Sequence, residues 1–335
     1  MGFVLNYARN LGSLTLGREP VRPLLFSYYV THRCALNCRY CCDGGGKRFK
    51  EDPVSELSTT EAKELISILR RAADTLDITG GEPMLRDDLE DILAHARQVG
   101  FRTVLNTKGI GIRERPDLMR FSSVLVLSLD SLNPASIAEL IRRPFGIAEA
   151  VLDALSSVMS ERHKMGTKVV VSAVATPANA TDVSAVLRFA VKNGLGFHVS
   201  PEIVGTTPNP LLRGNRTYDG LIKEVAAAKR NALGVLGVPQ YLKGIRRFGR
   251  FRCHPLLMPT IRPDGRMYYP CLESKRAEVS PLETGDYWLA LKQARQRCGP
   301  IPKCRDCCHI FCHMALSCFQ RHPLSALAES RHWRN

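Results

Sequence analysis

The fold of this chain is decided by the stretch LLFSYYVTHRCALNCRYC, residues 24–41. Apart from Ser27, its first eight residues are apolar, aromatic or β-branched, which predicts a buried β-strand. The strand runs directly into a loop with the spacing C-x3-C-x2-C, made by Cys34, Cys38 and Cys41. Three thiolates so close in sequence can ligate three irons of a four-iron, four-sulfur cluster and leave the fourth iron open to a small molecule. We therefore predict a cluster site at the end of the first strand.

From residue 24 onward, the sequence alternates between apolar strand patterns and helical patterns. We predict strands at 24–31, 75–79, 101–107, 124–129, 168–175 and 196–200. We predict helices between them at 58–73, 87–99, 147–164 and 181–192. Near-continuous apolar strands that alternate with helices indicate a parallel sheet covered by helices. The predicted fold class is α/β, a partial (β/α)6 TIM-like barrel whose working face lies at the carboxyl ends of the strands.

A second motif, Gly80-Gly81-Glu82-Pro83, follows the second predicted strand directly. On its own, such a turn is an ordinary loop. It becomes specific through its position, about forty residues after the cysteines and at the end of the next strand. Glycine lets a backbone approach a ligand closely. We therefore expect backbone groups of this turn and the Glu82 carboxylate to bind a polar ligand.

Together, the run VTHRCALNCRYC and the Gly-Gly-Glu-Pro turn resemble the signatures of the radical S-adenosylmethionine (SAM) enzymes. The resemblance implies that Cys34, Cys38 and Cys41 hold a catalytic 4Fe-4S cluster. It implies that the amino and carboxylate groups of SAM chelate the open iron. Reductive cleavage of SAM would then produce a 5′-deoxyadenosyl radical that abstracts a hydrogen atom from the substrate.

The resemblance also implies SAM-binding positions at other strand ends. Tyr40 holds the aromatic position before the third cysteine, which the family places near the adenine. Ser128 and Asp130 close the fourth strand and are implied to approach the ribose and the carboxylate of SAM. Asn106 closes the third strand and is expected to line the same pocket. A turn or a helix cap after the fourth strand is the alternative explanation for Ser128 and Asp130.

Three further residues are candidates for contacts with ligands. Arg142 and Arg143 have the charge to bind a carboxylate of SAM or of the substrate, and a solvated surface is the alternative. His198, at the end of the sixth predicted strand, is a candidate general acid or base.

A second group of cysteines follows about 210 residues that contain none. Its spacing resembles the SPASM extension of some radical SAM enzymes. The resemblance implies one or two auxiliary 4Fe-4S clusters, with metal ligands Cys253, Cys271, Cys304, Cys307, Cys312 and Cys318. Internal spacings depart from the family pattern by a residue or two, and no cysteine follows Cys318, so the cluster count and the ligand partition stay open. A hairpin turn at Asp264-Gly265 is expected to carry Cys271 to its site.

These patterns divide the chain into four predicted parts. They are an N-terminal helical segment (1–22), the radical SAM partial barrel (23–205), a connecting helical region (206–252) and a small cysteine-rich iron–sulfur domain of SPASM/twitch type (253–335). The first segment carries apolar residues at helical spacing together with arginines. Such a segment either packs on the adjoining barrel, which we favour, or lies on a membrane surface.

Composition limits the class of protein. The 335 residues are 44% hydrophobic and can bury a sizeable core. No run of about eighteen apolar residues predicts a transmembrane helix, and the N-terminus does not read as a signal peptide. Two tight cysteine groups are typical of metal or cluster sites in a reducing compartment, which predicts a cytoplasmic protein, either free or peripheral to the membrane. The net charge of +15 favours an anionic partner, or else reflects a generally basic, solvated surface.

The resemblance implies an electron donor such as flavodoxin or ferredoxin as a partner, and a peptide, a lipid or a small metabolite as the substrate. We see no obvious extra N-terminal domain for gripping a leader peptide. The alternative is a non-catalytic zinc-binding, nucleic-acid-binding protein, with His32 or Cys42 as a fourth ligand beside the first cysteines, or a zinc knuckle in the C-terminal group. No nucleic-acid fold motif supports this alternative, and it leaves the Gly-Gly-Glu-Pro turn unexplained.

Overall fold

A computed structural model describes residues 2–41, 49–274, 276–301 and 310–333 of the chain. The strands of this part of the chain are β1 (Phe26–Thr31), β2 (Thr75–Gly80), β3 (Arg102–Thr107), β4 (Val124–Ser128), β5 (Lys168–Ala175), β6 (Gly196–Pro201), β7 (Ile203–Val204), β8 (Thr207–Pro208), β9 (Thr260–Ile261), β10 (Met267–Tyr269) and β11 (Ala277–Val279). Its α-helices are α1 (Gly2–Thr15), α2 (Thr59–Arg70), α3 (Leu89–Gln98), α4 (Asp117–Phe121), α5 (Pro134–Ile141), α6 (Phe145–Met165), α7 (Ala180–Lys192), α8 (Arg216–Asn231), α9 (Pro239–Arg247), α10 (Pro281–Thr284), α11 (Tyr287–Cys298), α12 (Phe311–Arg321) and α13 (Pro323–Glu329).

Strands β1 to β6 form a parallel sheet in chain order, and helices connect them. The six strands lie within two residues of the bounds that the sequence predicts. The predicted helix at 58–73 is shorter, because α2 ends at Arg70. Its start is confirmed: Ser58 and Glu61 cap each other's backbone amides in a capping box.

The sheet continues beyond β1 into the C-terminal part of the chain. Strand β9 pairs in parallel with β1, and β10 and β11 follow antiparallel, so that nine strands form one sheet. The predicted hairpin turn is confirmed: Gly265 has a φ of +77°, and the Arg262 amide donates to the Arg266 carbonyl at 2.8 Å. The first strand of an incomplete barrel has unpaired backbone groups along its free edge. Strand β9 covers that edge.

The two faces of the parallel strands differ in polarity. Residues under the helices are fully buried and apolar, such as Leu76, Ile78 and Leu105. On the inner face, a small cluster of Val124, Val170 and Leu236, with Val104 and Val126 against it, fills the amino end of the barrel. Above this cluster, the inner positions are polar and half-buried: Asp77, Asn106, Ser128, Ser172, His198 and Ser200. The barrel therefore has an apolar floor and a polar cavity that opens at the carboxyl ends of the strands.

Helix α1 packs on the protein through polar side chains. The Asn6 side-chain amide donates to the carbonyls of Pro23 and Ala72 at 2.8 and 2.7 Å. The Tyr7 ring meets the ring of Phe319 on α12 edge to face at 5.4 Å. The segment therefore packs on the barrel, which is the alternative we favoured, and it also contacts α12. None of the described helices combines the length and the apolar character needed to cross a bilayer.

Candidate active site

The three-cysteine loop is fastened to the end of α5. The amides of Asn37 and Arg39 donate to the carbonyls of Ile141 and Leu140 at 3.0 and 2.9 Å. The last carbonyls of a helix have no partner within the helix, so they are free to accept from a loop. The carboxyl end of α5 therefore holds the backbone of the loop that carries the three cysteines.

Arg143 also holds this loop: its Nε donates to the Ala35 carbonyl at 2.5 Å. From the other side, Lys50 Nζ donates to the Leu36 carbonyl at 3.0 Å. Arg142 ends α5 in the left-handed conformation, with a φ of +50°. Arg143 thus supports the cysteine loop, a role that the sequence did not predict.

Cys34, Cys38 and Cys41 are free and partly buried. Burial raises the pKa of the Cys34 thiol, and the charges of Glu82 and Cys38 add to that effect. Burial also raises the pKa of the Cys38 thiol. In the described residues, no three His, Cys, Asp or Glu side chains converge on one ion-sized point. A four-iron cluster takes one thiolate on each iron and spaces its ligands more widely than a single ion, so three thiols on one short loop fit it.

The Gly-Gly-Glu-Pro turn packs directly against the start of the cysteine loop. The Gly81 amide donates to the Thr31 carbonyl, and the Glu82 amide to the Arg33 carbonyl, both at 2.8 Å. A Cβ on Gly81 would lie 2.8 Å from the Arg33 carbonyl carbon and closer to its oxygen. Gly80 has a φ of +149°, and a Cβ there would collide with the Thr31 carbonyl oxygen. The two glycines are therefore needed for the contact between the two motifs.

Glu82 is buried and its carboxylate has three donors. It accepts from Thr107 Oγ1 at 2.5 Å, from the Lys108 amide at 3.0 Å and from the Met84 amide at 3.2 Å. Burial raises the pKa of Glu82, and the three hydrogen bonds oppose that effect without cancelling it. These hydrogen bonds hold the Glu82 side chain at the carboxyl ends of β2 and β3.

Tyr40, Lys108 and Asp130 form a buried polar group at the mouth of the barrel. Lys108 Nζ lies 2.9 Å from Asp130 Oδ2 and 3.2 Å from the Tyr40 hydroxyl, which also donates to Asp130. Asp130 Oδ1 accepts from the Val174 amide at 2.9 Å. Burial lowers the pKa of Lys108, but the negative charges of Asp130 and Cys38 outweigh it and the pKa is raised. This group connects the cysteine loop to β3, β4 and β5.

Lys108 was missed by the sequence analysis, although it directly follows the third predicted strand at the working face. Ser131 and Asn133, and not Asp130, form the turn and the helix cap after β4. Ser131 Oγ accepts from the Asn133 amide, and Asn133 caps α5 by accepting from the Ala135 amide, both at 2.9 Å. Asp130 is thereby left to pair with Lys108 and Tyr40.

Asn106 lies in a different group, deeper in the cavity. Its amide donates to Asp77 Oδ1, and Ser27 Oγ donates to Asp77 Oδ2 at 3.1 Å. Burial raises the pKa of Asp77 to about 6, against the opposing effect of these hydrogen bonds. Ser128 lies opposite Ser172 in the register of β4 and β5. Asp77 was also missed, because it occurs inside a short strand with no motif around it.

His198 lies on the cavity side of β6. Its ring stacks on Tyr241 with the centroids 5.7 Å apart. Burial lowers its pKa to about 4, so the imidazole is neutral at physiological pH. Ser172 Oγ lies 3.4 Å from His198 Nδ1.

Five cysteines of the C-terminal group are described: Cys253, Cys271, Cys298, Cys312 and Cys318. Cys304, Cys307 and Cys308 lie outside the described residues. The His254 amide donates to Ser317 Oγ at 2.9 Å, which holds together the two chain segments that carry Cys253 and Cys318. Cys271 and Cys312 share Glu273 as a charged neighbour. Burial and the charge of Glu273 raise the pKa of both thiols, and Asp77 contributes at Cys312, whose pKa is about 11.

Cys312 and Cys318 are six residues apart on α12, about 240° around the helix axis. They therefore point to different sides of the helix. Three buried polar atoms near these cysteines have no hydrogen-bond partner among the described residues: His254 Nε2, Glu273 Oε2 and His313 Nδ1. Thiols and unpartnered polar atoms together suit the ligand environment of a cluster.

The zinc alternative has little structural basis at the first site. His32 Nδ1 lies 2.9 Å from the Asp52 carbonyl, and the ring packs against Tyr29 and Phe49. The other candidate ligand, Cys42, lies outside the described residues. His32 is thus a packed residue beneath the loop.

Residues 28–161 match the family model described as the radical SAM superfamily. The match begins in β1, ends in α6 and includes both the cysteine loop and the Gly-Gly-Glu-Pro turn. Residues 28–161 therefore form a radical SAM domain. The predicted family is confirmed.

Two curated proteins resemble parts of the chain. A stretch of 122 residues, 34% of this chain, is 38% identical to 19% of molybdenum cofactor biosynthesis protein 1 of Bos taurus. A stretch of 162 residues, 47% of this chain, is 30% identical to 48% of the GTP 3′,8-cyclase of Aquifex aeolicus (strain VF5). The chain spans less than half the length of each relative.

Two solved structures share the fold. SuiB of Streptococcus suis bound to the precursor peptide SuiA has a TM-score of 0.59 at 16% identity, over 82% of this chain and 66% of that chain. The enzyme anSMEcpe with bound AdoMet has a TM-score of 0.57 at 15% identity, over 82% of this chain and 80% of that chain. At such identities, the likeness concerns the fold, and it confirms the predicted partial barrel.

Proposed function

We propose that this chain is a radical SAM enzyme whose substrate enters the polar cavity of the barrel. The observation that carries the proposal is the direct contact between the two motifs. Gly81 and Glu82 donate their amides to Thr31 and Arg33, so the Gly-Gly-Glu-Pro turn and the cysteine loop form one unit at the cavity mouth. If the cysteine loop were only a metal site and the Gly-Gly-Glu-Pro turn an ordinary loop, the two would not need to be in contact.

Each part of the site has a task in this proposal. Cys34, Cys38 and Cys41 hold the 4Fe-4S cluster, and the turn 80–83, with Ser128, binds SAM beside it. Tyr40 is held by Asp130 and Lys108, which fixes the ring that the family places near the adenine. When bound, the cluster supplies the electron for cleavage of SAM to the 5′-deoxyadenosyl radical. The residues around it orient SAM and exclude water.

The C-terminal cysteines are proposed to hold auxiliary 4Fe-4S clusters in a SPASM-like region. The different directions of Cys312 and Cys318 on α12 support two binding positions, with Cys304 and Cys307 as further ligands. An electron donor such as flavodoxin or ferredoxin would reduce the clusters in the cytoplasm.

The proposed substrate is a polar molecule, a peptide or a small metabolite. Ser128, Ser172 and Ser200 lie on the inner face with the Asp77–Asn106 pair, and their hydroxyl groups offer hydrogen bonds to a substrate. A lipid chain would leave such groups unpaired, at a cost of about 1–3 kcal/mol for each buried group. The similar proteins include one with a peptide partner and one named for a nucleotide substrate. Both are polar substrates.

The test is iron and acid-labile sulfide per chain after anaerobic reconstitution, on wild type and on the triple variant Cys34→Ala, Cys38→Ala and Cys41→Ala. We expect about eight or twelve irons in wild type and a loss of about four in the variant. The matched control is the triple variant Ser156→Ala, Ser157→Ala and Ser160→Ala in α6, where the hydroxyls bond only within their own helix; it should keep all the iron.

With dithionite and SAM, wild type should form 5′-deoxyadenosine and the triple variant should not. If the triple variant keeps all its iron, or if wild type carries zinc alone, the radical mechanism is wrong and the zinc-binding alternative takes its place.

A further inference from the structure

A groove of about 760 Å³ lies between α8, α9 and the C-terminal end of the chain. Its lining includes seven lysines and arginines and one glutamate. The basic residues are Lys223, Lys229, Arg230, Lys243, Arg246, Arg247 and Arg331. Neither the radical SAM motifs nor the C-terminal cysteines contribute to it, so the proposed function leaves the groove unexplained.

The groove lies near the amino ends of the barrel strands, away from the cysteine loop. Lys229 Nζ donates to the Val235 carbonyl at 2.7 Å, and Val235 bridges to Phe197 near the start of β6. Lys168, the first residue of β5, donates to the His332 carbonyl at 2.8 Å. The SAM site is at the opposite ends of these strands, so a ligand in the groove would not compete with SAM.

Four of the basic residues have no acidic partner within the described part of the chain. They are Arg230, Lys243, Arg247 and Arg331. The other three are paired: Lys223 and Arg246 with Asp219 at 2.8 and 2.6 Å, and Lys229 with Glu329 at 2.7 Å. The four unpaired cations are all exposed to solvent along the groove. Their combined charge favours an anionic occupant.

The floor between these charges is apolar. It is formed by Ala226 of α8, Pro239 of α9, and Leu324 and Ala328 of α13, all at least partly exposed. Leu324 is 83% exposed, so an occupant of the groove would cover a large apolar side chain there. A compact phosphate or a nucleic-acid backbone would pair with the cations and leave this floor in water.

The lining residues repeat with helical spacing. Those of α8 run from residue 222 to residue 230, and those of α9 from 239 to 247, on one face of each helix. Each face is about 12 Å long, or slightly more than two helical turns. A groove of this length, with an apolar floor and charged walls, suits an amphipathic helix that anchors every third or fourth residue.

We propose that this groove binds an acidic amphipathic helix of a protein partner. Leucine-like side chains of the partner would cover Ala226 and Leu324, and its carboxylates would pair with Lys243, Arg247 and Arg230. The inference is independent of the radical chemistry, since it uses none of the cluster or SAM residues.

Binding in the groove would contact a helix that also borders the substrate cavity. On the other face of α9, Tyr241 donates its hydroxyl to the Val199 carbonyl at 2.9 Å and stacks on His198. Gly244 leaves room for Met314 of α12, whose methyl group occupies the space of a Cβ. Helix α9 therefore joins the groove to the cavity wall and to the helix that carries Cys312.

The experiment uses the full chain with its clusters, purified without oxygen. The probe is a fluorescein-labelled helix of about 14 residues, or four turns, with leucines at every third or fourth position and glutamates between them. Fluorescence anisotropy measures its affinity for wild type, for the double variant Lys243→Glu/Arg247→Glu and for Leu324→Ser. The matched control is Arg113→Glu/Arg297→Glu, which makes the same charge change at exposed residues outside the groove.

We expect the double variant in the groove to weaken binding about tenfold or more, and Leu324→Ser to weaken it several-fold. The control variant should change it less than about twofold, and a scrambled peptide of the same composition should bind more weakly than the amphipathic one. Binding should also fall as NaCl rises from about 50 to about 300 mM.

Equal losses in the groove variant and in the control would mean a general charge effect and would overturn the proposal. No binding of the helical peptide would overturn it too. So would tighter, groove-dependent binding of a single-stranded oligonucleotide or of phosphatidylserine vesicles, since either result would reassign the groove to a nucleic acid or a membrane. None of these outcomes bears on 5′-deoxyadenosine formation, which tests the proposed function separately.

Discussion

Replacing Lys108 by methionine would remove one partner of a buried ion pair at the mouth of the barrel. The side chains of Lys108 and Asp130 are only 9% and 3% exposed, and their charged atoms are 2.9 Å apart. Methionine has nearly the same length but leaves the Asp130 carboxylate buried without its cation. Breaking a buried pair in this way costs about 3–5 kcal/mol. We expect Lys108→Met to reduce the free energy of unfolding by that amount.

A double-mutant cycle separates the pair from its surroundings. Asp130→Asn removes the negative charge and keeps an oxygen for the Val174 amide, which donates to Asp130 Oδ1 at 2.9 Å. Alone, Asp130→Asn leaves the Lys108 charge unpaired and should also destabilise the fold. In the double variant Lys108→Met/Asp130→Asn both charges are gone, so the loss should be smaller than the sum of the single losses by about 2 kcal/mol or more.

The assay is anaerobic thermal unfolding followed by circular dichroism. With about 2–4 °C per kcal/mol, Lys108→Met should lower the melting temperature by about 6–20 °C. The control is Lys164→Met, which breaks an exposed pair with Glu161 and should cost no more than about 1 kcal/mol. If Lys108→Met behaves like Lys164→Met, or if the double variant shows the full sum of the single losses, Lys108 and Asp130 are not coupled as the structure has them.

Two further changes test the turn and the cavity. Gly81→Ala places a methyl group against the Arg33 backbone, which cannot move aside as a side chain would. We expect this variant to lose about 2–4 kcal/mol of the free energy of unfolding, measured by thermal unfolding. The control Gly146→Ala, which has open space at its Cβ, should be nearly neutral. A similar loss in both would contradict the close contact. For Asp77, burial raises the pKa to about 6, so the folded state binds its proton more tightly than the unfolded state. The stability this proton contributes is fully present below the unfolded pKa, near 4, and is lost as the pH rises to about 6. Asp77→Asn should therefore melt higher than wild type at pH 7, with a gain that shrinks toward pH 5; a gain independent of pH would refute the raised pKa.

The parallel strands were predictable because local patterns carry them. Apolar and β-branched runs with helical segments between them specify the order and nearly the ends of β1 to β6. Ser58 and Glu61 indicate the start of α2, because the two residues are only three positions apart and cap each other's backbone amides. The cysteine loop and the Gly-Gly-Glu-Pro turn could likewise be placed at strand ends, because each directly follows a strand in the chain.

Other features needed the tertiary structure. Nothing in the local sequence pairs Lys108 with Asp130, 22 residues away, or brings Asn106 to Asp77 across two strands. The continuation of the sheet through β9 depends on pairing between residues 27 and 260, and no local pattern specifies a partner so far along the chain. Long-range contacts of this kind depend on the packing of the whole chain.

By itself, the sequence determined the α/β class, the strand order, the two motifs and the family, because each of these depends on residues that are neighbours in the chain or on short-range periodicity. The tertiary structure alone decided what the motifs touch. It set Gly81 against Arg33, placed Tyr40 beside Lys108 and Asp130, and brought cations of α8 and α9 together with Arg331 around one groove. The physical reason is that charge pairing, burial and the room for a Cβ depend on distances in space, which the order of residues along the chain does not contain.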